Sequence, residues 1–202
     1  GLIKRSKLHP DFFVQMAIQL AHYRLHKRFV ATYETGHTRA FYHGRTDTVR
    51  TTSVESCAFV EAMCDDEADA EAKTGALRAA CDAHGQQLMR VLSGQGIDRH
   101  LLGLQVIAAM RGDETPELFT DASYKRGGGG GNYALSTSNV GYTPMCGGFA
   151  PMVKEGYGVC YALMEGRMNI IVTAWRGGGG GTDAEAMKAT LHDALVDMMR
   201  VV

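Results

Sequence analysis

The sequence lacks several features that would assign a protein quickly to a class. None of its five cysteines forms a C-x-x-C pair, which argues against a zinc site, and their odd number argues against a disulfide scaffold and for a reducing compartment. Positive charge is not in excess, because 21 Lys and Arg stand against 22 Asp and Glu, so we expect no general binding of nucleic acid. No apolar run is long enough to cross a bilayer.

Hydrophobic sequence is present in an amount that suits a folded core. Of the 202 residues 45% are hydrophobic, as expected for one domain spanning residues 1–202. Glycine is unusual, because two runs of five, 127–131 and 177–181, interrupt otherwise ordinary sequence. A natural chain rarely uses two identical pure-glycine runs, so we interpret them as placeholders or engineered loops rather than natural flexible linkers, and we assign them no chemistry.

Hydrophobic spacing predicts helices in the first half of the chain. A helix is expected to begin at Pro10 and run to about Lys27. Ser53 is expected to cap a helix that ends near Met63, and a long helix follows that ends near Ser93. Another is expected from Asp98, with its leucines and Ile107 on a buried side, and a single turn at 116–119.

Strands are predicted mainly in the second half. Residues 156–163 and 168–175 read as two strands of a hairpin, and Thr182 or Asp183 is expected to cap a last helix. A short strand is expected at 30–33, followed by a loop-rich polar segment from Glu34 to Thr52. This order indicates an α/β or α+β layered domain.

Polar residues concentrate in four short segments, at 33–35, 43–48, 98–100 and 136–138. An arginine fork and hydroxyl groups from separate segments could converge on a carboxylate ligand. Helix capping and surface ion pairing explain each segment equally well when it is taken alone, so both interpretations stay open at this point.

Taken together, these motifs resemble the carnitine/choline acyltransferase family. Tyr-Glu at 33–34, His-Gly-Arg-Thr-Asp-Thr at 43–48, Gly-Ile-Asp-Arg-His-Leu at 96–101, Leu-Ser-Thr-Ser at 135–138 and Glu-Gly-Tyr-Gly-Val-Cys-Tyr at 155–161 follow the family's order and spacing. The resemblance implies a chloramphenicol-acetyltransferase-like fold, a mixed sheet flanked by helices. It also implies reversible acyl transfer between CoA and the hydroxyl of carnitine in fatty-acid metabolism, with CoA as co-substrate and no permanently bound cofactor or metal.

The resemblance assigns a set of residues to carnitine: Tyr33, Thr35, Thr46, Arg99 and Phe149. Arg99 would pair with the carboxylate of carnitine, where hydroxyl groups complete the hydrogen bonds of the anion. Phe149 would lie beside the trimethylammonium group. Ser138 corresponds to a hydroxyl that supports the oxyanion of the tetrahedral intermediate.

For CoA the resemblance points to Lys4, Lys7, Asp11 and Glu34. Gly147 stands where short-chain members carry a bulky residue that closes the acyl pocket. Its missing side chain predicts room for medium or long acyl chains, since each buried methylene adds about 0.8 kcal/mol.

The catalytic histidine of the family, in the sequence H-x-x-x-D-G, is missing. His43 to Asp47 is a near match, but Thr48 replaces the glycine and the segment already matches the carnitine motif. We therefore expect a C-terminal portion of the enzyme that carries the carnitine half of the site, is inactive alone, and requires the N-terminal portion as its partner. The alternatives are a noncatalytic carnitine-binding or regulatory domain and choline acetyltransferase, although Arg99 argues against choline, which has no carboxylate.

The resemblance further places the enzyme in a mitochondrion or a peroxisome. The sequence itself leaves these two compartments open, and the mitochondrion is favoured; residues 199–202 do not form a peroxisomal tripeptide, whether or not they are the end of the protein. Any attachment to a membrane surface is expected to involve parts outside this chain.

Overall fold

A computed structural model describes residues 1–144, 147–177 and 181–202. The helices are α1 (Leu2–Arg5), α2 (Pro10–His26), α3 (Val54–Cys64), α4 (Ala70–Leu92), α5 (Asp98–Arg111), α6 (Glu117–Thr120), α7 (Ala122–Arg126) and α8 (Ala184–Arg200). The strands are β1 (Thr32–His37), β2 (Thr46–Arg50), β3 (Leu135–Asn139), β4 (Tyr157–Met164) and β5 (Arg167–Ala174). The predicted α/β class is confirmed.

The five strands form one mixed sheet in the order β2-β1-β3-β4-β5. The central pairs β1–β3 and β3–β4 are parallel, and the outer pairs are antiparallel. Because successive side chains of a strand point to opposite sides, the register defines two faces. The helix-packed face carries Thr32, Glu34, Leu135, Thr137, Val159 and Tyr161, and the loop-covered face carries Tyr33, Thr35, Ser136, Ser138, Gly158 and Cys160.

Helix α2 forms the centre of the core. It begins at Pro10, as predicted, with Asp11 in its first turn, where an acid suits the positive end of the helix dipole. Residues 13–22 are buried on every side, because α2 lies between the sheet and helices α3, α4 and α8. Phe13, Met16 and Leu20 are fully buried.

The other predicted helix ends are also confirmed. Ser53 caps α3 through two reciprocal hydrogen bonds. The Ser53 backbone N–H donates to the Ser56 hydroxyl, and the Ser56 backbone N–H donates to the Ser53 hydroxyl. The long helix α4 ends at Leu92, next to the expected Ser93. Asp183 caps α8, because its carboxylate accepts hydrogen bonds from the backbone N–H groups of Glu185 and Ala186. The predicted hairpin is present, with Met164 opposite Arg167 at its turn.

The prediction of a loop-rich segment from Glu34 to Thr52 is wrong. Most of β1 and all of β2 lie there and pair as an antiparallel hairpin, with Thr35 opposite Thr48. The hydrophobic pattern missed these strands because both faces of β1 carry polar groups or glycine. Strand formation here depends on pairing rather than on an apolar period.

The buried side predicted for α5 is also wrong, because no residue of this helix is buried. Leu102 and Leu104 are each 46% exposed and Ile107 is 54% exposed. The helix itself forms from Asp98 onward, as its leucine-rich sequence predicts, and it contacts β2. Periodicity therefore identified the helix, but tertiary contacts did not cover its apolar residues.

The first glycine run is described in full and forms a short 3₁₀ turn at Gly129–Gly131. A Cβ atom at Gly129 would lie 2.3 Å from the ring of Tyr124, so this turn packs closely against its neighbours. Part of the second run, 178–180, lies outside the described residues. The interpretation of both runs as placeholders or engineered loops stays a prediction.

Candidate active site

The hydroxyl groups of Tyr33 and Thr35 lie together on the loop-covered face of β1. The Thr35 hydroxyl donates to the Tyr33 hydroxyl over 3.4 Å, and the two side chains point the same way because they are two residues apart on one strand. The ring of Tyr33 packs against that of Tyr133, with 5.5 Å between centroids. Two residues assigned to carnitine by resemblance are thus neighbours.

Arg99 is held at the edge of the sheet next to Thr46. Its Nε donates to the carbonyl oxygen of Thr46 over 3.0 Å, and its backbone N–H donates to the Asp47 carboxylate over 3.2 Å. The side chain is exposed, and among the described residues its two terminal nitrogens have no acceptor. The guanidinium is therefore anchored at one nitrogen, which leaves two parallel donors for an anion.

Asp47 is a structural residue of this site that the sequence did not single out. Its buried carboxylate accepts from the backbone N–H groups of Thr48 and Arg99, which ties the first turn of α5 to β2. A Cβ atom at Gly96 would lie 2.3 Å from this carboxylate, so the glycine allows the approach. The signal was present, since Asp47 and Gly96 lie within two of the recognised motifs.

An ion pair between Arg50 and Asp98 supports the same edge, and the sequence did not single it out either. The guanidinium of Arg50 binds both carboxylate oxygens of Asp98, at 3.0 and 2.8 Å, and Asp98 also accepts from the Tyr133 hydroxyl at 2.9 Å. Hydrogen bonding to Asp98 raises the pKa of Arg50. Burial raises the pKa of Tyr133, and the Asp98 charge adds to that effect, so both groups keep the protonated forms that these bonds require. The Arg50–Asp98 pair thus connects β2 to α5 and, through Tyr133, to the ring of Tyr33.

Ser138 lies on the loop-covered face of β3, together with Ser136. Their neighbour Thr137 points to the opposite face and is fully buried. Because Tyr33 pairs with Ser136 in the parallel ladder, the serines and the tyrosine share one side of the sheet. The structure thus brings Ser138 to the face that carries Tyr33 and Thr35.

Phe149 lies across the same face, over β4. A Cβ atom at Gly158 would come within 2.7 Å of the Phe149 carbonyl oxygen and 3.1 Å of its ring, so this close approach requires a glycine. The Thr173 hydroxyl donates to the Phe149 carbonyl over 2.6 Å and fixes the segment on the sheet. Gly158 pairs with Ser136, which places the phenylalanine beside the serine strand.

Gly147 lies in open space two residues before Phe149. It is exposed, and a Cβ atom there meets no described atom within 4 Å. The preceding Met145 and Cys146 lie outside the described residues.

The residues assigned to CoA divide into two groups. Lys4 and Lys7 are exposed in the segment before α2, whereas Asp11 and Glu34 are buried on the helix-packed side. Asp11 accepts from the hydroxyl of Tyr161 at 2.6 Å and from the amide of Asn139 at 2.8 Å.

Glu34 faces His84 of α4, with 2.7 Å between its carboxylate and the ring nitrogen Nε2. The distance is that of an ion pair, although the ring N–H is not aligned for a hydrogen bond. Burial raises the pKa of Glu34, and Asp11 adds to this rise while His84 opposes it. Asp11 and Glu34 are thus held by protein partners on the face opposite Tyr33.

The part of the chain that the structure describes contains neither a metal-binding cluster nor a membrane-spanning helix. No group of three or more His, Cys, Asp or Glu side chains there could hold a metal ion. No described helix is long and apolar enough to cross a membrane.

Comparison with known proteins shows the family of the chain. Residues 1–193 match the model of the choline/carnitine O-acyltransferase family. The chain is 43% identical over 201 residues to bovine (Bos taurus) peroxisomal carnitine O-octanoyltransferase. The matched region covers 100% of this chain and 33% of the relative. It is 41% identical over 196 residues to mouse (Mus musculus) carnitine O-acetyltransferase, covering 96% of the chain and 31% of the relative. It spans about a third of these relatives' length, and it belongs to the choline/carnitine O-acyltransferase family.

Proposed function

We propose that this chain forms the carnitine side of the active site of a carnitine O-acyltransferase, which transfers an acyl group reversibly between CoA and the carnitine hydroxyl. The observation that carries the proposal is Arg99, anchored through Nε and through its backbone with two donors free. A fork of this kind matches the two oxygens of a carboxylate. Choline has no such group, which favours carnitine as the acceptor.

The other proposed residues contact the carnitine carboxylate, the trimethylammonium group and the oxyanion. The hydroxyls of Tyr33, Thr35 and Thr46 complete the hydrogen bonds of the carnitine carboxylate, and the Phe149 ring lies beside the trimethylammonium group. Ser138 donates to the oxyanion that forms when the carnitine hydroxyl attacks the thioester carbon and gives its proton to the histidine of the N-terminal portion. The oxyanion collapses to the new ester as the CoA thiolate leaves and takes a proton back.

CoA binds as a co-substrate through the exposed Lys4 and Lys7, with Asp11 and Glu34 assigned to positions in or near its site. The exposed lysines contact its phosphate groups, since an ammonium group is a compact partner for a phosphate. Asp11 and Glu34, which are buried, lie in or beside this site.

The acyl group is of medium or long chain length. The missing side chain of Gly147 supports this preference, as does the similarity to octanoyltransferases. The proposed compartment is a mitochondrion or a peroxisome, with the mitochondrion preferred; the name of the octanoyltransferase relative mentions only the peroxisome.

The chain supplies half of a catalytic site. It contains no H-x-x-x-D-G sequence, and a carnitine hydroxyl is a poor nucleophile until a positioned base takes its proton, a contribution of about 10²- to 10⁴-fold. The N-terminal portion of the same enzyme supplies this histidine. The 202 residues alone are inactive, either as an isolated part of the enzyme or as a carnitine-binding domain that has no base.

The test is acyl transfer by the full-length enzyme, with octanoyl-CoA as donor and carnitine or choline as acceptor. Arg99→Ala should raise KM for carnitine about 10- to 100-fold and leave KM for octanoyl-CoA nearly unchanged, because only the charge-assisted pair is lost. Arg111→Ala is the matched control, since Arg111 is exposed at the other end of α5 and pairs with Asp113.

Three outcomes would contradict parts of the proposal. Faster transfer to choline than to carnitine would assign a different acceptor. An equal loss for both substrates in Arg99→Ala would mean that the residue maintains the fold. Transfer by the isolated 202 residues would require one of their own eight histidines to act as the base.

A further inference from the structure

A buried glutamine of α2 reaches the sheet directly behind the serine strand. The amide nitrogen of Gln15 donates to the Thr137 hydroxyl at 2.9 Å and to the Tyr161 hydroxyl at 2.8 Å, and its carbonyl oxygen accepts from Thr51 at 3.2 Å. Gln15 and Thr137 are both fully buried. Every polar atom of this side chain therefore has a partner from a different part of the fold.

Thr137 extends this contact to β1. Its hydroxyl donates to the backbone carbonyl of Tyr33 over 2.8 Å. Gln15, Thr137 and the Tyr33 backbone thus form one chain of hydrogen bonds behind the sheet. In front of the sheet, the residues on either side of Thr137 are Ser136 and Ser138.

We propose that Gln15 and Thr137 are positioning residues of the acyl-transfer reaction, which hold the Ser138 hydroxyl and the Tyr33 side chain in register. The inference rests on the proposed function. Because alternation fixes side chains to the backbone, a hydrogen bond to Thr137 on one face sets where Ser138 points on the other. Donors for an oxyanion must be placed to within about half an ångström, and a misplacement of about 1 Å can cost 100-fold in rate.

Directional bonds suit this task better than apolar packing. Removing one partner of a buried hydrogen bond leaves the other unsatisfied and destabilises the fold. Such a removal also breaks the bond that ties β3 to α2 or to β1. We therefore expect a loss of stability together with a loss of kcat, and the loss of kcat is the part that a purely structural role does not predict.

The experiment compares Thr137→Val with Thr137→Ser in the full-length enzyme. Valine keeps the shape and removes the hydroxyl, whereas serine keeps the hydroxyl. Thr137→Val should lower kcat about 10- to 100-fold with KM for acyl-CoA nearly unchanged, and Thr137→Ser should retain a kcat close to wild type. Ser138→Ala, assayed in parallel, reports whether the hydroxyl that is being positioned matters.

A second pair of variants separates positioning from folding. Gln19 lies one turn after Gln15, is also buried, and bonds to Thr32 and Thr52 instead. Gln15→Met and Gln19→Met remove the same kind of buried amide from the same helix, so both should lower the melting temperature. Only Gln15→Met should also lower kcat strongly.

The possible failures are distinguishable. A wild-type kcat in Thr137→Val, or equal kcat in Gln15→Met and Gln19→Met, overturns the inference and leaves the proposed function standing. Full activity of Ser138→Ala removes the target of the positioning and overturns the inference as well. A full-length enzyme without carnitine acyl transfer overturns the proposed function itself.

Discussion

On strand β3 the three consecutive residues Ser136, Thr137 and Ser138 serve opposite sides of the molecule. Thr137 is fully buried and bonded to Gln15 and the Tyr33 backbone, whereas the serines face the side that also carries Thr35 and Phe149. On the helix-packed face, Asp11, Gln15 and Thr137 bond to partners within the protein. At the edge of the sheet, the terminal nitrogens of Arg99 have no acceptor among the described residues. Substitutions of core residues on the helix-packed face should therefore change stability, and those of Gln15 and Thr137 should in addition lower kcat, whereas substitutions of the residues proposed to bind carnitine should change substrate use.

The largest expected effect comes from the core behind the sheet. Phe13→Ala should lower the free energy of unfolding by about 3–5 kcal/mol, because it removes a fully buried ring and leaves a cavity. Urea unfolding measures this loss. The same substitution at Phe41, which is 50% exposed, should cost clearly less. Equal losses at both positions would break the distinction between core and surface.

The second effect is a pH dependence of stability on the helix-packed side. Burial, together with the neighbouring His26, lowers the pKa of His22 from 6.5 to about 4. The unfolded chain therefore binds more protons between these values, so stability should fall as the pH is lowered from about 6.5 to 4, by on the order of 3 kcal/mol. Above this range His22 is neutral in both states and contributes no pH dependence.

Unfolding free energies measured across this pH range test the assignment. His22→Gln should flatten the acid-side slope, and His9→Gln, at an exposed imidazole, is the control. An unchanged slope in His22→Gln would assign the pH dependence to other groups, such as His26, whose pKa burial also lowers.

The smallest effect is expected on the loop-covered face, where substrate choice should change while stability does not. Gly147→Met should lower kcat/KM for octanoyl- and palmitoyl-CoA in the full-length enzyme and spare acetyl-CoA, because the methionine fills the acyl pocket proposed at this exposed glycine and overfilling a pocket costs about 1–3 kcal/mol. Gly75→Met is the control, since Gly75 is an exposed helical glycine with open space around it. A uniform loss across the three substrates would indicate that Gly147 serves backbone geometry.

Local sequence signals predicted much of the fold. Pro10, Ser53 and Asp183 mark helix starts because their chemistry acts within one turn of the chain. The hairpin of β4 and β5 was predicted because its apolar runs and turn are contiguous. Strand β2 was missed because its pairing with β1, rather than its own apolar pattern, makes it a strand.

The candidate site divides in the same way. Motif order indicated Tyr33, Thr46, Arg99 and Ser138 because each lies within a recognisable short segment. The contacts that hold them were not visible in those segments. Asp47 meets Arg99 across 52 positions of the chain, and Arg50 meets Asp98 across 48, distances over which sequence patterns carry no geometric information.

By itself, then, the sequence determined the family, the helix boundaries set by local capping and the residue types of the candidate site. Only the tertiary structure decided on which side of the sheet each group acts. It left α5 exposed, buried Asp11 and Glu34 among protein partners, and joined Gln15 to Thr137 across 122 positions. The physical reason is that alternation within a strand is local, whereas the choice of the buried face depends on which distant helix packs there.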